Sequence, residues 1–209
     1  MTVSKRVLDI ILVLVLFLFL IPVMALVALM LLFHQGRPIF FVSERMKTPT
    51  EGFALWKFRT MDTSTDDLKA SGGHKSSRIT PMGHWMRKYR IDELPQLWNI
   101  LKGDISFVGP RPPLRRYVEM FPKTYGKVLQ SRPGVTGLAT LLYHQEEERL
   151  LANCENAAET ERVYTRRCIP RKAQLDLLYG RHRSICFDLR LIVATAYRRL
   201  SPVSRRARS

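Results

Sequence analysis

Cysteine is scarce in this chain. The 209 residues hold three, Cys154, Cys168 and Cys186, an odd number with no C-x-x-C pair. That argues against a disulfide framework and a zinc ribbon, and it favours a reducing compartment. The five histidines are scattered with no H-E-x-x-H spacing, so a zincin-type centre is also excluded. Acidic residues are few as well: 18 against 34 lysines and arginines, for a net charge of +16. A balance that basic points to an anionic partner, whether nucleic acid, anionic lipid or a phosphate-bearing substrate. Nucleic acid is the weakest of these, because no helix-turn-helix, zinc-finger or RRM signature accompanies the charge. No internal repeat divides the chain, and its length suits one ordinary domain plus an appendage.

Charge is absent altogether from Ile10 to Phe33. A helix of that length measures about 36 Å, enough to enter or cross a bilayer. The run is too long for the apolar part of a signal peptide and no A-x-A-like site follows it, so it is expected to stay as a membrane anchor. Pro22 lies near its middle, where a proline removes a backbone hydrogen bond and predicts a kink. Lys5 and Arg6 precede the run; Arg37, Arg45 and Lys47 follow it. Basic flanks on both sides pull both ends toward the cytoplasm. A helix that bends at Pro22 and re-enters the same leaflet satisfies both pulls; a spanning helix satisfies one. On residues alone the two topologies stay open.

The expected fold is α/β, mostly helical with a short β-hairpin. Residues 39–42 and 53–58 read as strands around a polar turn at Thr48–Gly52. Residues 62–77 read as a polar loop. A helix is expected from about Met82 to Glu93, broken at Leu94 by the following proline, and a second from Gln96 to Leu101, stopped at Lys102-Gly103. Further helices are expected near 113–130, 144–153, 155–167 and 186–200, the last with Leu189, Ile192, Val193 and Ala196 on its apolar face. Trp85, Tyr89 and Trp98 lie among basic residues and suit either a membrane interface or an ordinary core. The expected organisation is an anchor over 1–35, a catalytic unit with amphipathic interfacial helices over 36–200, and a basic tail over 201–209 that is either solvated or drawn to anionic headgroups.

Four features within and around residues 78–137 carry chemistry. Asp92 and Glu93 are adjacent carboxylates just before a proline break. Like charges repel, so such a pair needs cations; Arg87, Lys88 and Arg90 are near, and Mg²⁺ is the other candidate, with Asp92 and Glu93 as its ligands. A carboxylate can also attack phosphorus as a nucleophile. Gly109-Pro110-Arg111-Pro112 is a stiff turn that displays a guanidinium suited to phosphate. Lys57 and Arg59 alternate along a strand, and two cations on one face would make a diphosphate site. Arg132, in Arg132-Pro133-Gly134, is a further phosphate candidate. Two carboxylates, positioned cations and a membrane anchor together form the inventory of phosphoryl transfer.

With these motifs in view, the chain resembles the small monotopic phosphoglycosyl transferases of the bacterial sugar transferase family. The resemblance rests on KRVLDI at 5–10, the apolar run with Pro22, GRPIFF at 36–41, KFRTM at 57–61, RIDELPQLWNILKGDISFVGPRP at 90–112 and RPGVTG at 132–137, and so covers nearly the whole chain. It implies a re-entrant helix and a cytoplasmic catalytic part resting on a bacterial inner membrane. It implies transfer of a sugar-1-phosphate from a UDP-sugar to polyprenyl (undecaprenyl) phosphate, the first membrane step of polysaccharide or glycoconjugate assembly. Asp92 matches the attacking aspartate of the family's dyad, which would release UMP and carry the phosphosugar; Glu93 would help to hold Mg²⁺. Lys57, Arg87 and Arg111 match basic positions assigned to phosphate or nucleotide. Two departures stand out. Ile21 replaces a serine common before the kink proline, and the segment after the RPG turn reads GLATLLYHQEEERLLA, an acidic stretch with Glu146, Glu147 and Glu148 that lacks the arginine and asparagine many members carry there. A P-x-K-x-x-x-D-x-x-Y pattern follows, matched by Pro170, Lys172, Asp176 and Tyr179, in a region expected to touch sugar or nucleotide. A homodimer is left open, and so is the sugar. The competing class is a non-catalytic membrane scaffold that binds anionic lipid; it explains the charge and the anchor but not a carboxylate dyad beside Gly-Pro-Arg-Pro.

Overall fold

The computed structural model describes residues 2–62 and 78–200, with the side chains of 198–200 left aside. The loop expected at 62–77 therefore falls almost wholly outside the described residues, and the tail from 201 lies outside them too. The chain is mostly helical, with a small antiparallel hairpin and one long apolar N-terminal helix.

That helix, α1 (Val3–Gln35), is capped by Thr2, whose hydroxyl accepts from the Lys5 amide, and it runs without interruption through Pro22. Only a narrow stripe is buried: Asp9, Val13, Val27 and Leu31. Its other faces present Leu14, Leu18, Phe19, Leu26 and Phe33, among other apolar side chains, to the outside. Such a surface is stable against hydrocarbon and not against water.

The hairpin follows. Strands β1 (Phe40–Met46) and β2 (Gly52–Phe58) pair antiparallel from Phe40↔Phe58 to Met46↔Gly52, so the predicted strands are right in place and β1 is longer than expected. Phe53 and Leu55 point inward to Val13, Leu97, Ile100 and Ile105; Phe58 joins a second cluster with Val27, Leu31 and Met86. The two clusters thus seat the two halves of α1, one on each side of Pro22, against the same globular unit.

The expected helix to Glu93 is shorter in fact. Helix α2 (Pro81–Tyr89) ends at Arg90, which takes a left-handed backbone (φ 58°), and Ile91–Glu93 form a separate 3₁₀ turn. The break thus precedes the dyad instead of following it. Helix α3 (Gln96–Lys102) then stops at Gly103, as its sequence predicts. Asn99, fully buried, ties α3 to the free edge of β2: its side-chain oxygen accepts from the Trp56 amide at 3.1 Å and its nitrogen donates to the Ala54 carbonyl at 2.7 Å.

Two short strands were not expected. Strands β3 (Ser106–Val108) and β4 (Gly134–Thr136) pair in parallel, Ser106 opposite Gly134 and Val108 opposite Thr136. They lay the two glycine-proline turns side by side. The backbones approach so closely that a Cβ on Gly134 would overlap the Gly109 amide. Between them run α4 (Arg115–Met120) and α5 (Pro122–Val128), where one helix over 113–130 was expected; the Phe121–Pro122 step divides them. Then come α6 (Leu138–Ala152), α7 (Ala157–Val163), a π turn at Tyr164–Cys168, α8 (Ile169–His182) and α9 (Ile185–Leu200). The apolar face read for α9 is only partly turned inward: Leu191 and Asp188 are buried and Ile192 packs on the core, whereas Leu189 and Val193 are exposed. The reason is polar. Asp188 must reach Lys5 and the Tyr179 hydroxyl (2.7 Å), and that contact sets the rotation of the helix.

Candidate active site

The dyad sits where the 3₁₀ turn meets the end of β2 and the Gly-Pro-Arg-Pro turn. Asp92 is 6 % exposed and Glu93 is 8 % exposed. Burial penalises any carboxylate, so what surrounds each one decides its state. Glu93 is ringed by cations. Lys57 Nζ donates to Oε1 at 2.9 Å, Arg90 Nη1 to Oε2 at 2.7 Å and Arg111 Nη2 to Oε1 at 3.2 Å. Burial pushes its pKa up; Lys57, Arg111 and Arg90 more than reverse this and hold it well below the usual carboxylate range. Arg111 is correspondingly pushed up by Glu93, while Lys57 is pushed down by burial, which Glu93 offsets only in part.

Asp92 differs. Its Oδ1 is shielded from solvent and has no hydrogen-bond partner among the described residues. Burial raises its pKa; the cations Lys57, Arg87 and Arg90 oppose this only in part, and the neighbouring Glu93 charge adds to it. Arg87 itself is steered by its Nε, which donates to Thr60 Oγ1 at 2.9 Å. One carboxylate is thus saturated with cations and the next keeps an open oxygen beside the same cations. No group of three or more His, Cys, Asp or Glu that could hold a metal occurs among the described residues, so a cation at Asp92 would complete its shell from outside the protein.

Of the sequence-predicted residues, the fold brings together Asp92, Glu93, Lys57, Arg87 and Arg111. It does not bring Arg59 or Arg132. Arg59 lies one residue past β2 and turns away from Lys57: its guanidinium donates to the Gln35 carbonyl, to the Gly36 carbonyl at 3.1 Å and to the Arg37 carbonyl at 3.4 Å. It therefore closes the C-terminal end of α1, so the expected Lys57–Arg59 diphosphate face does not form. Arg132 lines a separate cavity of about 80 Å³ with Lys5, Tyr179 and Asp188. Arg90, beside the dyad in sequence, becomes a direct partner through its left-handed backbone, which periodicity does not reveal. Asn99, which ties α3 to β2, had no sequence signal beyond its place in the 90–112 block.

The acidic segment lies on α6, with Glu147 turned to α8 and Glu146 and Glu148 exposed. Glu147 accepts from Lys172 Nζ at 2.9 and 3.1 Å, and Glu148 meets His144 at 3.3 Å. Lys172 also stands over the Tyr164 ring at 5.3 Å. Asp176, one turn further along α8, is 8 % exposed, and burial raises its pKa to about 7, with Lys172 opposing only in part.

Comparison with known proteins fits this arrangement. The family profile described as bacterial sugar transferase matches residues 1–201. The chain is 36 % identical over 160 residues to the protein named uncharacterized sugar transferase EpsL of Bacillus subtilis (strain 168), covering 77 % of this chain and 69 % of that one. It is 34 % identical over 205 residues to the undecaprenyl-phosphate glucose phosphotransferase of Komagataeibacter xylinus, covering 94 % of this chain and 36 % of that one. It is 32 % identical over 145 residues to the UDP-N-acetylgalactosamine-undecaprenyl-phosphate N-acetylgalactosaminephosphotransferase of Aeromonas hydrophila, covering 66 % of this chain and 34 % of that one. The chain therefore spans about a third of the length of the last two. A profile that takes in the anchor, the hairpin, the dyad and both glycine-proline turns leaves one assignment: the chain belongs to the bacterial sugar transferase family.

Proposed function

We propose that this chain is a membrane-bound phosphoglycosyl transferase that moves a sugar-1-phosphate from a UDP-sugar to undecaprenyl phosphate, at the cytoplasmic face of a bacterial inner membrane, as the first membrane step of glycan assembly. The observation that carries the reading is the shielded Oδ1 of Asp92, without a hydrogen-bond partner among the described residues and within the influence of three cations, Lys57, Arg87 and Arg90. That oxygen attacks the β-phosphorus of the donor. The bond from this phosphorus to the bridging oxygen breaks, UMP leaves with that oxygen, and the sugar phosphate stays on Asp92 as an acyl phosphate. A phosphate oxygen of undecaprenyl phosphate then attacks the same phosphorus, and the Asp92 carboxylate leaves. Lys57, Arg87 and Arg111 stabilise charge on the transferring phosphoryl oxygens. Glu93 fixes Lys57, Arg90 and Arg111 in place.

Magnesium suits the donor set, because no hydrogen bond among the described residues ties down the Asp92 carboxylate, so its other oxygen can serve a hard cation while Oδ1 attacks, and the ion commonly takes one or two carboxylates and fills its shell with phosphate oxygens and water. When bound, it would draw charge from the diphosphate. Glu93 would join Asp92 as a ligand by releasing one of its cations. The re-entrant topology is supported by contacts at both ends of α1. Near its start, Arg6 donates to the Ile100 and Leu101 carbonyls at 2.5 and 2.6 Å, and Asp9 accepts from Ser106 at 3.1 Å. At its end, Gln35 donates to Thr80 at 2.9 Å and Arg59 holds the terminal carbonyls. A spanning helix would separate its two ends by a bilayer; here one globular unit holds both. Trp85, Tyr89 and Trp98, each about half exposed, are not core aromatics and suit the interface.

The test is intact mass and peptide mapping after incubation with a UDP-sugar alone. The expected result is UMP release with a phosphosugar on the peptide containing Asp92. An adduct on the Asp92→Asn protein, or undiminished turnover by it, would overturn the reading.

A further inference from the structure

Arg45 entered the sequence reading only as a basic flank of the apolar run. In the fold it sits on β1 opposite Phe53, on the strand face that points into the molecule. Its Nε is shielded from solvent and has no partner; its one hydrogen bond is a long one, from Nη1 to the Pro112 carbonyl at 3.3 Å. Two residues earlier on the same face, the Ser43 hydroxyl is likewise shielded and unpartnered. A small cavity opens between Arg45, Arg111, Gln96 and the backbone of Pro112 and Gly134. Arg45 makes no ion pair with any described residue, and the nearby carboxylate, Glu93, already accepts from three other cations. A second guanidinium, Arg111, adds repulsion, and with desolvation it pushes Arg45 down to about 10.

A shielded cation with unused donors, facing another cation across a cavity, is unfavourable unless an anion shares the space. We propose that Arg45, with Arg111 across the cavity, forms a phosphate-binding subsite on the Glu93 side of the dyad that takes a phosphoryl group of a substrate. The identity of the substrate rests on the transferase reading; the binding of a phosphate group does not. The subsite gives Arg111 a second duty, because Glu93 engages only one of its N–H groups.

The test uses the full chain in phosphatidylcholine nanodiscs, with thermal unfolding followed as inorganic pyrophosphate is added at constant ionic strength against chloride. The wild type is expected to be stabilised saturably by pyrophosphate. Arg45→Met should need about tenfold more pyrophosphate or more for the same shift. In the absence of pyrophosphate, it should unfold no earlier than the wild type, because it no longer shields an unpaired charge. A merely structural Arg45 gives the opposite pattern, a less stable Arg45→Met with unchanged pyrophosphate response, and that overturns the subsite. So does a wild type that pyrophosphate stabilises no more than chloride does. If Arg45→Met fails to fold, Arg45→Lys, which keeps the charge and loses the fork, must weaken the response. Asp92→Asn should keep it, which separates failure of the subsite from failure of the transferase reading. In steady state, a raised KM for the UDP-sugar with Arg45→Met assigns the subsite to the donor diphosphate, a raised KM for undecaprenyl phosphate assigns it to the acceptor, and neither change overturns it.

Discussion

Glu93 and Asp176 are buried to the same degree, each 8 % exposed, yet they lie on opposite sides of the ordinary carboxylate range. Glu93 has Lys57, Arg111 and Arg90 around it and stays ionised far into acid. Asp176 has only Lys172 in reach, and Lys172 is already held by Glu147, so burial prevails and its pKa rises to about 7. Burial alone therefore does not mark the chemistry of a carboxylate here; the local count of free cations does. Asp92 falls between the two. It shares the cations of Glu93 but has none bound to its Oδ1, which leaves it ionisable and uncommitted. That combination is what a nucleophile toward phosphorus requires.

The largest expected effect breaks the comparison at Asp92. Asp92→Asn keeps the shape and removes the charge of the oxygen proposed to attack, so transfer should fall by about 10³-fold or more. Its unfolding temperature should not drop, because the native state already disfavours that charge. Equal loss of stability and activity would mean that Asp92 is a structural ion like Glu93.

Glu93→Gln comes next. It leaves Lys57, Arg90 and Arg111 without their shared anion, and breaking such a shielded cluster costs roughly 3–5 kcal/mol. Denaturant titration should show that loss at neutral pH. The pH dependence has a definite sign. The folded pKa of Glu93 lies below its unfolded value, so its contribution is fully present above the unfolded pKa and is lost as pH falls through the folded value. The wild type should thus converge on Glu93→Gln in strong acid.

Asp176→Asn should act in the other direction. Its folded pKa of about 7 lies above the unfolded value, so the native state holds its proton more tightly and the ionised form weakens the fold. The substitution should stabilise by on the order of 3 kcal/mol near pH 8, and the gain should shrink toward zero near pH 4. A gain that does not vary with pH would show that the pKa of Asp176 is not raised.

Much of this contrast was legible in the sequence, and its limits are physical. The hairpin could be read because aromatic and β-branched residues flank a polar turn. The anchor could be read because a long uncharged run has few other uses. The dyad and Arg111 could be read because adjacent carboxylates and Gly-Pro-Arg-Pro are chemically unusual. Arg90 could be read as a nearby cation, but not the left-handed backbone that brings it to Glu93, which leaves no compositional trace. Nor could the pairing of β3 with β4, three-residue strands too short for periodicity and far apart in the chain. Arg59 and Lys57 looked equivalent by alternation; the end of β2 between them sends one to the helix carbonyls and the other to the dyad. The rotation of α9 follows Asp188 and its partner Lys5 at the other end of the chain, and no local pattern contains that information.

The smallest expected effect isolates burial from geometry. Arg115 grips Glu44 with two hydrogen bonds, at 3.1 and 2.6 Å, a fork no worse than the contacts around Glu93. Both side chains, however, are about half exposed, 45 % for Arg115 and 55 % for Glu44. Water and salt screen such a pair, and ordering two long side chains offsets most of what remains. The hydrogen bonds from Arg115 still lower the pKa of Glu44, so the pair should persist into mild acid. Its removal by Glu44→Gln should nevertheless leave the unfolding temperature within the error of the measurement, at low and at high salt alike. Glu93→Gln exchanges the same atoms in a shielded site. If the two substitutions proved equally costly, distance would govern ion pairs in this protein and the cation ring around the dyad would lose its special standing. If only Glu93→Gln is costly, the contrast between the two sites lies in desolvation, the same condition that raises the pKa of Asp92 next to it.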